Sequence, residues 1–329
     1  LAPRVLSTDS PRFLSFIPAA PTKASLLFDA IVSASSLNGT SWLEAAGAIH
    51  AENQVLSFLA GQAGFPETAG GCFLSGGSAG NLSALVVARD VARRSGRTSS
   101  AVRPRILASE QAHSSITNTA RILDAVVDLV PAPDDRLTGD AVAAALAAHP
   151  DPSSVVAVVA TAGTTNAGIV DDLAGVGAAA RSAGIWFHVD GAYGGAALLA
   201  PSVRDRFAGS EAADSFVVDP HKWLFAPFDC AALLYREPEL ARSVHTQDAS
   251  YLDSIHEPGA WNPTDYAYHL TRRARGLALW FSLCTHGVAA YRDAVESSLE
   301  LARWTADRIA DLPELELVRR PDLSIVMFR

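Results

Sequence analysis

The sequence predicts an α/β protein built on a mostly parallel sheet with helices packed on both sides. Three observations carry this. Short runs rich in β-branched and aromatic residues, "PRILAS", "VVAVVAT", "IWFHVD" and "SFVVD", are almost continuously apolar, as strands buried on both faces are. Helix-length segments lie between several of them, at 81–94, 115–124, 138–149 and 171–183, and strand–helix–strand alternation builds parallel sheets. Hydrophobic residues make up 49% of the 329, enough for a sizeable core.

Along the chain, residues 1–45 are rich in Pro and Ser and predict an irregular stretch with short helices. From Ala46 to Gly61, Ile49, Val55, Leu56 and Leu59 have helical spacing. The strand–helix alternation then runs to residue 242. "CAALLY" follows "SFVVD" closely enough to predict an antiparallel strand. Residues 243–268 hold Pro, Gly and aromatics without a period and predict a long loop. Residues 270–310 predict one long or two joined amphipathic helices, and "LELV" and "SIVMF" predict strands opening a smaller α+β domain. The chain begins at Leu1 and stops within "LSIVMFR", as a fragment or the ordered portion of a longer protein does.

Net charge is −9 and no basic patch dominates, so neither nucleic acid nor an anionic membrane is an expected partner. The longest apolar runs are strand-length, far short of a membrane span, and no signal peptide is read at the start. Cys72, Cys230 and Cys284 are odd in number and widely spaced. They suit a reducing cytoplasm, and neither a disulfide framework nor a metal site is expected.

In an open parallel sheet, ligands bind beyond the carboxyl ends of the strands. Four candidate groups fall there: His113 after "ILASEQA", Thr164 and Thr165 after "VVATAG", Asp190 closing "IWFHVD", and Lys222 after "SFVVDPH". Of 26 Lys plus Arg, only Lys23 and Lys222 are lysine. Lys222 sits in an apolar, strand-like run, where burial favours a neutral nucleophilic amine; a guanidinium stays protonated and forms no imine. Gly76, Gly77 and Ser78 predict a tight turn into a helix whose N–H groups hold a phosphate, although a Gly-rich turn with a Ser cap fits the local sequence equally. Asp190 suits a cationic ring nitrogen, with a helix cap or structural ion pair as the plainer reading. His113 suits ring stacking or proton transfer, or is a satisfied polar residue. Together, a phosphate site, an aldehyde-capturing lysine, an acid and a stacking imidazole match the needs of pyridoxal phosphate.

The sequence also resembles the group II pyridoxal-phosphate-dependent amino acid decarboxylases, through "SPRFLSF", "SGGSAGN", "ASEQAHSS", "VVATAGTTNAG", "FHVDGAYGG", "DPHKWLFAPFDCAALL" and "LTRRARGLALWF". The most specific part is "HVD-x-A-Y" followed by "PHKW". "HKWLF…FDC" looks most like the aromatic-L-amino-acid and histidine branch. The resemblance implies an aminotransferase-like fold of type I, with a seven-stranded sheet and a smaller C-terminal domain. It implies that Lys222 bonds the cofactor aldehyde, Asp190 the ring nitrogen, and His113 the ring face. Thr165 and Ala192 lie near the cofactor, and Gly77, Ser78 and His221 hold the phosphate. Asp219 stands where the aromatic enzymes often have Asn, and a carboxylate facing a phosphate is repelled. Gly191 replaces a common Ala and is expected to alter pocket width. Tyr251, 29 residues after Lys222, matches a mobile-loop tyrosine that protonates the substrate carbon.

The same resemblance divides the chain into a dimer-associated N-terminal segment (1–45), a large cofactor-binding domain (46–242), a mobile catalytic loop (243–268), and linking helices with the start of a small domain (269–329). It implies a homodimer with the site at the interface and an L-amino acid substrate, most simply an aromatic one. Alternatives on the same scaffold are decarboxylation of glutamate or diaminobutyrate, aldehyde formation, carbon–carbon lysis, or an inactive cofactor-binding protein. The aldehyde-forming enzymes commonly lack the loop tyrosine, which Tyr251 supplies here.

Overall fold

A computed structural model of the chain describes all residues except 1–3, 5, 7, 9, 11, 19 and 256–258. Pro11 of "SPRFLSF" and Pro258 of the expected loop therefore lie outside the described residues.

Two helices come first, α1 (Lys23–Ala34) and α2 (Trp42–Ala63). The alternation follows as β1 (Gly70–Leu74), α3 (Gly77–Arg94), β2 (Arg105–Ser109), α4 (Ser115–Ile122), β3 (Val126–Val130), α5 (Gly139–Ala148), β4 (Val155–Thr161), α6 (Leu173–Ala183), β5 (Trp186–Asp190) and β6 (Ser215–Val218). The one-turn helix α7 (Pro220–Trp223), β7 (Ala231–Tyr235), α8 (Pro238–His245), α9 (Leu277–Ala310), β8 (Leu317–Arg319) and β9 (Met327–Phe328) complete it. The chain starts helices where its side chains can cap them. Thr138 and Asp172 accept the free N–H groups of Ala141 and Gly175 at the starts of α5 and α6. Gly184, at φ 63°, ends α6 in the left-handed conformation that glycine adopts without strain.

The seven-stranded sheet has the order β1-β7-β6-β5-β4-β2-β3, and β7 alone runs against the other six. Two apolar layers cover it. One holds Val158, Ala160, Phe187, Val189 and Phe216; the other holds Ala157, Val159, Trp186 and Leu233 beneath α3. Adjacent residues of a strand thus face opposite layers.

Two strands escaped the sequence reading. β1, "GGCFL", opens on glycines that read as a turn. A Cβ on Gly71 would lie 1.8 Å from the Leu233 carbonyl oxygen, so the closeness of β7 demands glycine there. β3, "VVDLV", is an edge strand with Leu129 exposed, and Asp128 interrupts its apolar run to pair with Arg105 of β2. The expectation of one or two joined helices over 270–310 resolves as two, because α9 breaks at Gly287 (φ 78°, ψ 157°). The expected loop of 243–268 begins as the end of α8 and carries 3₁₀ turns at Ser250–Ile255 and Pro263–Tyr266. The two C-terminal strands pair antiparallel, as expected.

A buried ion pair ties the N-terminal helices to the sheet's flank. Arg272 Nη2 donates to Glu52 Oε1 at 2.7 Å, Gly276 N–H donates to the same oxygen at 2.8 Å, and Arg272 Nη1 donates to the Gly39 carbonyl at 2.8 Å. Neither side chain reaches solvent, so removing Glu52 would strand a cation in the core.

Candidate active site

At the carboxyl end of the sheet lies a crevice of about 370 Å³, a size that suits a small ligand. The turn Ser75–Gly76–Gly77–Ser78 between β1 and α3 forms one wall. His113, beyond β2, and Thr161 and Asp190, at the ends of β4 and β5, add to the lining. Asp219, His221 and Lys222 follow β6, and Tyr193 and Phe228 complete the walls. Parallel strands bring these sequence-distant residues together because all end at the same edge.

The β5 side is polar at every second position. Trp186, His188 and Asp190 share the face beneath α3, with Phe187 and Val189 on the other. Asp190 is 4% exposed; its Oδ1 accepts the Ala192 N–H at 3.1 Å and its Oδ2 accepts Asn81 Nδ2 at 2.8 Å. Both partners are donors, the set that suits a carboxylate. Burial pushes the His188 imidazole down to about 4, against the pull of nearby Asp190, so it is neutral at physiological pH.

On the opposite side, α7 presents Lys222. As expected, Lys222 stands beyond the carboxyl end of β6, on the helical turn before β7, but it is not buried. Its side chain is 28% exposed, and its Nζ lies 3.1 Å from Asp219 Oδ2. The apolar run around it belongs to the flanking strands, not to the lysine. Asp219 is itself buried and accepts the Gly77 N–H at 3.1 Å. Burial would raise its carboxyl, but the hydrogen bond from His221 and the charge of Lys222 outweigh that and hold it below the usual carboxylate range. His221 Nδ1 accepts the Cys230 N–H at 3.0 Å, which turns Nε2 toward Asp219, 3.5 Å away.

Not every expected residue enters the crevice. Thr165 is exposed, and the β4 residue in the lining is Thr161, whose hydroxyl is buried with no protein partner. Tyr251 is 71% exposed on its 3₁₀ turn, away from the lining of this chain's crevice. Gly191 does not set pocket width. It faces the interior, and a Cβ there would lie 2.6 Å from the Phe216 ring. Ala192 does line the crevice, against Gly77. Asn81, His188, Ser115 and Thr161 went unread as site residues. Their one signal is His188 and Asp190 at alternate positions of an otherwise apolar run, a period of two that marks a polar stripe on one face.

The residues present fit pyridoxal phosphate. A Cβ on Gly77 would come 3.0 Å from that of Ala192 and 3.1 Å from Asp219, so glycine leaves the α3 amino end open to a close-lying group. Thr161 Oγ1 lines the crevice as a buried hydroxyl lacking a protein partner among the described residues. A primary amine, an acid on a buried strand end and an imidazole converge on one space.

Comparison with known proteins agrees with this chemistry. The family described as "Pyridoxal-dependent decarboxylase conserved domain" matches residues 1–329. The chain is 31% identical to an aromatic-L-amino-acid decarboxylase of Bacillus atrophaeus, over 99% of the chain and 68% of that protein. It is 29% identical to a histidine decarboxylase of Mus musculus, spanning 100% of the chain and about half (53%) of that protein. The solved structure of Oryza sativa TDC with PLP and tryptamine superposes with a TM-score of 0.93 at 29% identity, covering 100% of this chain and 71% of the other.

The Phe216 contact generates a prediction. Gly191→Ala forces a methyl into the Phe216 ring and should destabilise the fold by about 1–3 kcal/mol, the usual cost of overpacking. Adding Phe216→Leu should recover most of that loss. Urea unfolding of the two variants checks this, and a fully stable Gly191→Ala protein would show that residue 191 does not meet Phe216.

Proposed function

The chain belongs to the pyridoxal-dependent decarboxylase family, and from that premise we propose that it converts an aromatic L-amino acid to the amine and CO2, acting as a cytoplasmic homodimer. The carrying observation is the convergence of Lys222, Asp190 and His113 with the α3 turn around one crevice. The aromatic choice is supported by Phe228, 66% exposed at the crevice wall with its ring 4.8 Å from that of His221, and by relatives whose names specify aromatic substrates. Among the described residues, no helix is long and apolar enough to cross a membrane.

Each residue takes the role that the family resemblance implies for it. Lys222 would hold the cofactor through Nζ, a primary amine able to bond an aldehyde. Asp190 would hold a proton on the ring nitrogen, and His113 would supply an imidazole beside the ring. Gly77, Ser78 and His221 would hold the phosphate at the amino end of α3, with the Gly77 N–H and His221 shared with Asp219. Asp219 acts behind them, paired with Lys222 and His221. Ala192 fixes Asp190 through its N–H, and Thr161, not the exposed Thr165, stands on the β4 side of the crevice. When bound, the cofactor supplies an electron sink for the pair left on Cα as CO2 departs.

Within this proposal, residues 1–45 are the dimer-associated segment, 46–242 the large domain, 243–268 the lid, and 269–329 the linking helices and start of the small domain. Tyr251, exposed on its own chain, reaches the crevice of the second copy and donates its phenolic proton to Cα.

A screen of the twenty amino acids with DOPA and diaminobutyrate for CO2 release tests the substrate class. Aromatic substrates should lead. Turnover confined to glutamate or diaminobutyrate would refute the aromatic assignment, and bound cofactor without any turnover would leave only a cofactor-binding protein. Tyr251→Phe should still release CO2 in air but shift product from amine toward aldehyde. An unchanged rate and amine-to-aldehyde ratio would remove Tyr251 from the proton transfer.

A further inference from the structure

Beneath the crevice runs a chain of buried hydrogen bonds whose donors and acceptors can be assigned one after another. The Trp186 indole can only donate, and Nε1–H meets Ser215 Oγ at 2.8 Å. The Ser215 hydroxyl keeps its own proton free to give to His188 Nδ1, 2.8 Å away. His188 is fully buried and neutral, so its one ring proton sits on Nε2 and is given to Asn81 Oδ1 at 2.8 Å. That contact fixes the Asn81 amide. Its Nδ2 hydrogens go to Asp190 Oδ2 and Ser115 Oγ, both at 2.8 Å. Ser115 Oγ passes its own proton to His113 Nδ1 at 2.9 Å, which also accepts the Ser115 N–H at 3.2 Å. With Nδ1 an acceptor twice over, the ring proton of His113 is on Nε2.

We propose that Asn81 is a positioning residue: its amide orients Asp190 toward the cofactor ring nitrogen and, through Ser115, sets His113 as the Nε2–H tautomer. This rests on the reading of the crevice as the pyridoxal phosphate site. Asn81 is 1% exposed, and an apolar side chain in its place would leave His188 Nε2–H, Asp190 Oδ2 and Ser115 Oγ without this partner. Asn81 is the branch point: one amide serves both residues assigned to the ring.

The titratable groups around it are His188, Asp190 and Tyr193 on β5 and the turn after it, His113 ahead of α4, and Asp219, His221 and Lys222 at the β6–α7 corner. From α8, His245 bonds the Ser83 carbonyl of α3. Asn81→Asp keeps the shape and places a second carboxylate against Asp190. Two carboxylates at that distance share a proton, and the sharing fails as pH rises.

The test is titration of cofactor-free wild type, Asn81→Asp and Ser115→Ala with pyridoxal phosphate from mildly acidic to mildly alkaline pH, with circular dichroism as the check on folding. Asn81→Asp should bind about tenfold or more weakly than wild type at neutral pH, the size of losing a hydrogen bond to a charged group. Its deficit should shrink toward acid. Ser115→Ala removes the hydroxyl link between Asn81 and His113 and leaves the backbone N–H on Nδ1, so it should keep the affinity and shift the pH profile of CO2 release. Equal affinity of wild type and Asn81→Asp at every pH overturns the proposal. Failure of wild type to bind overturns the reading of the crevice, and the proposal with it. Should Asn81→Asp not fold, ¹⁵N resonances of the histidine rings in the wild type decide, with His113→Gln as the assignment. The Nε2–H tautomer of His113 is expected, and Nδ1–H overturns the assignment.

Discussion

Asp190 sits at the carboxyl end of a central strand, 4% exposed at the crevice floor, and a carboxylate there must be met by donors. Much of the crevice floor follows from that. The turn after β5 folds back so that the Ala192 N–H reaches one oxygen, and α3 lies where Asn81 reaches the other. Asn81 in turn needs a fixed donor for its carbonyl, which the neutral His188 provides. The face of β5 under α3 therefore carries His188 and Asp190 within a layer that also holds the apolar Ala157, Val159 and Trp186.

A second carboxylate balances the opposite wall. Asp219 draws together the Gly77 N–H, His221 and Lys222, and so couples the amino end of α3 to the reactive amine. Because β7 runs antiparallel beside β6, α7 is a tight corner between adjacent strands, and Lys222 is held by backbone on both sides. The Glu52–Arg272 pair does related work farther out, fixing α2 and the start of α9 against the sheet. Both pairs place charges where removal of either partner costs more than the pair contributes.

The parallel sheet was legible because β4, β5 and β6 carry β-branched and aromatic runs that nothing but a doubly covered strand explains. The edge strand β3 and the glycine-led β1 were not, since one is half solvated and the other is shaped by a neighbour's backbone. The site's ring-facing residues were legible as chemistry at strand ends. Asn81 and Thr161 were not, because an amide or hydroxyl in a helix or strand carries no sign of which buried group it meets. Gly191 shows the same limit. Its meaning lies in Phe216, twenty-five residues on, whose ring takes the space of a side chain. Residues whose role depends on a second copy, Tyr251 above all, are legible only as motif and position.

The account stands on Lys222 as the residue that bonds pyridoxal phosphate. Borohydride reduction of the cofactor-loaded protein, followed by mass mapping of its peptides, reads this directly, since the chain offers only Lys23 and Lys222. A pyridoxyl group on the peptide carrying Lys222 is the predicted result. A pyridoxyl group on Lys23, or none on either lysine, would contradict the account.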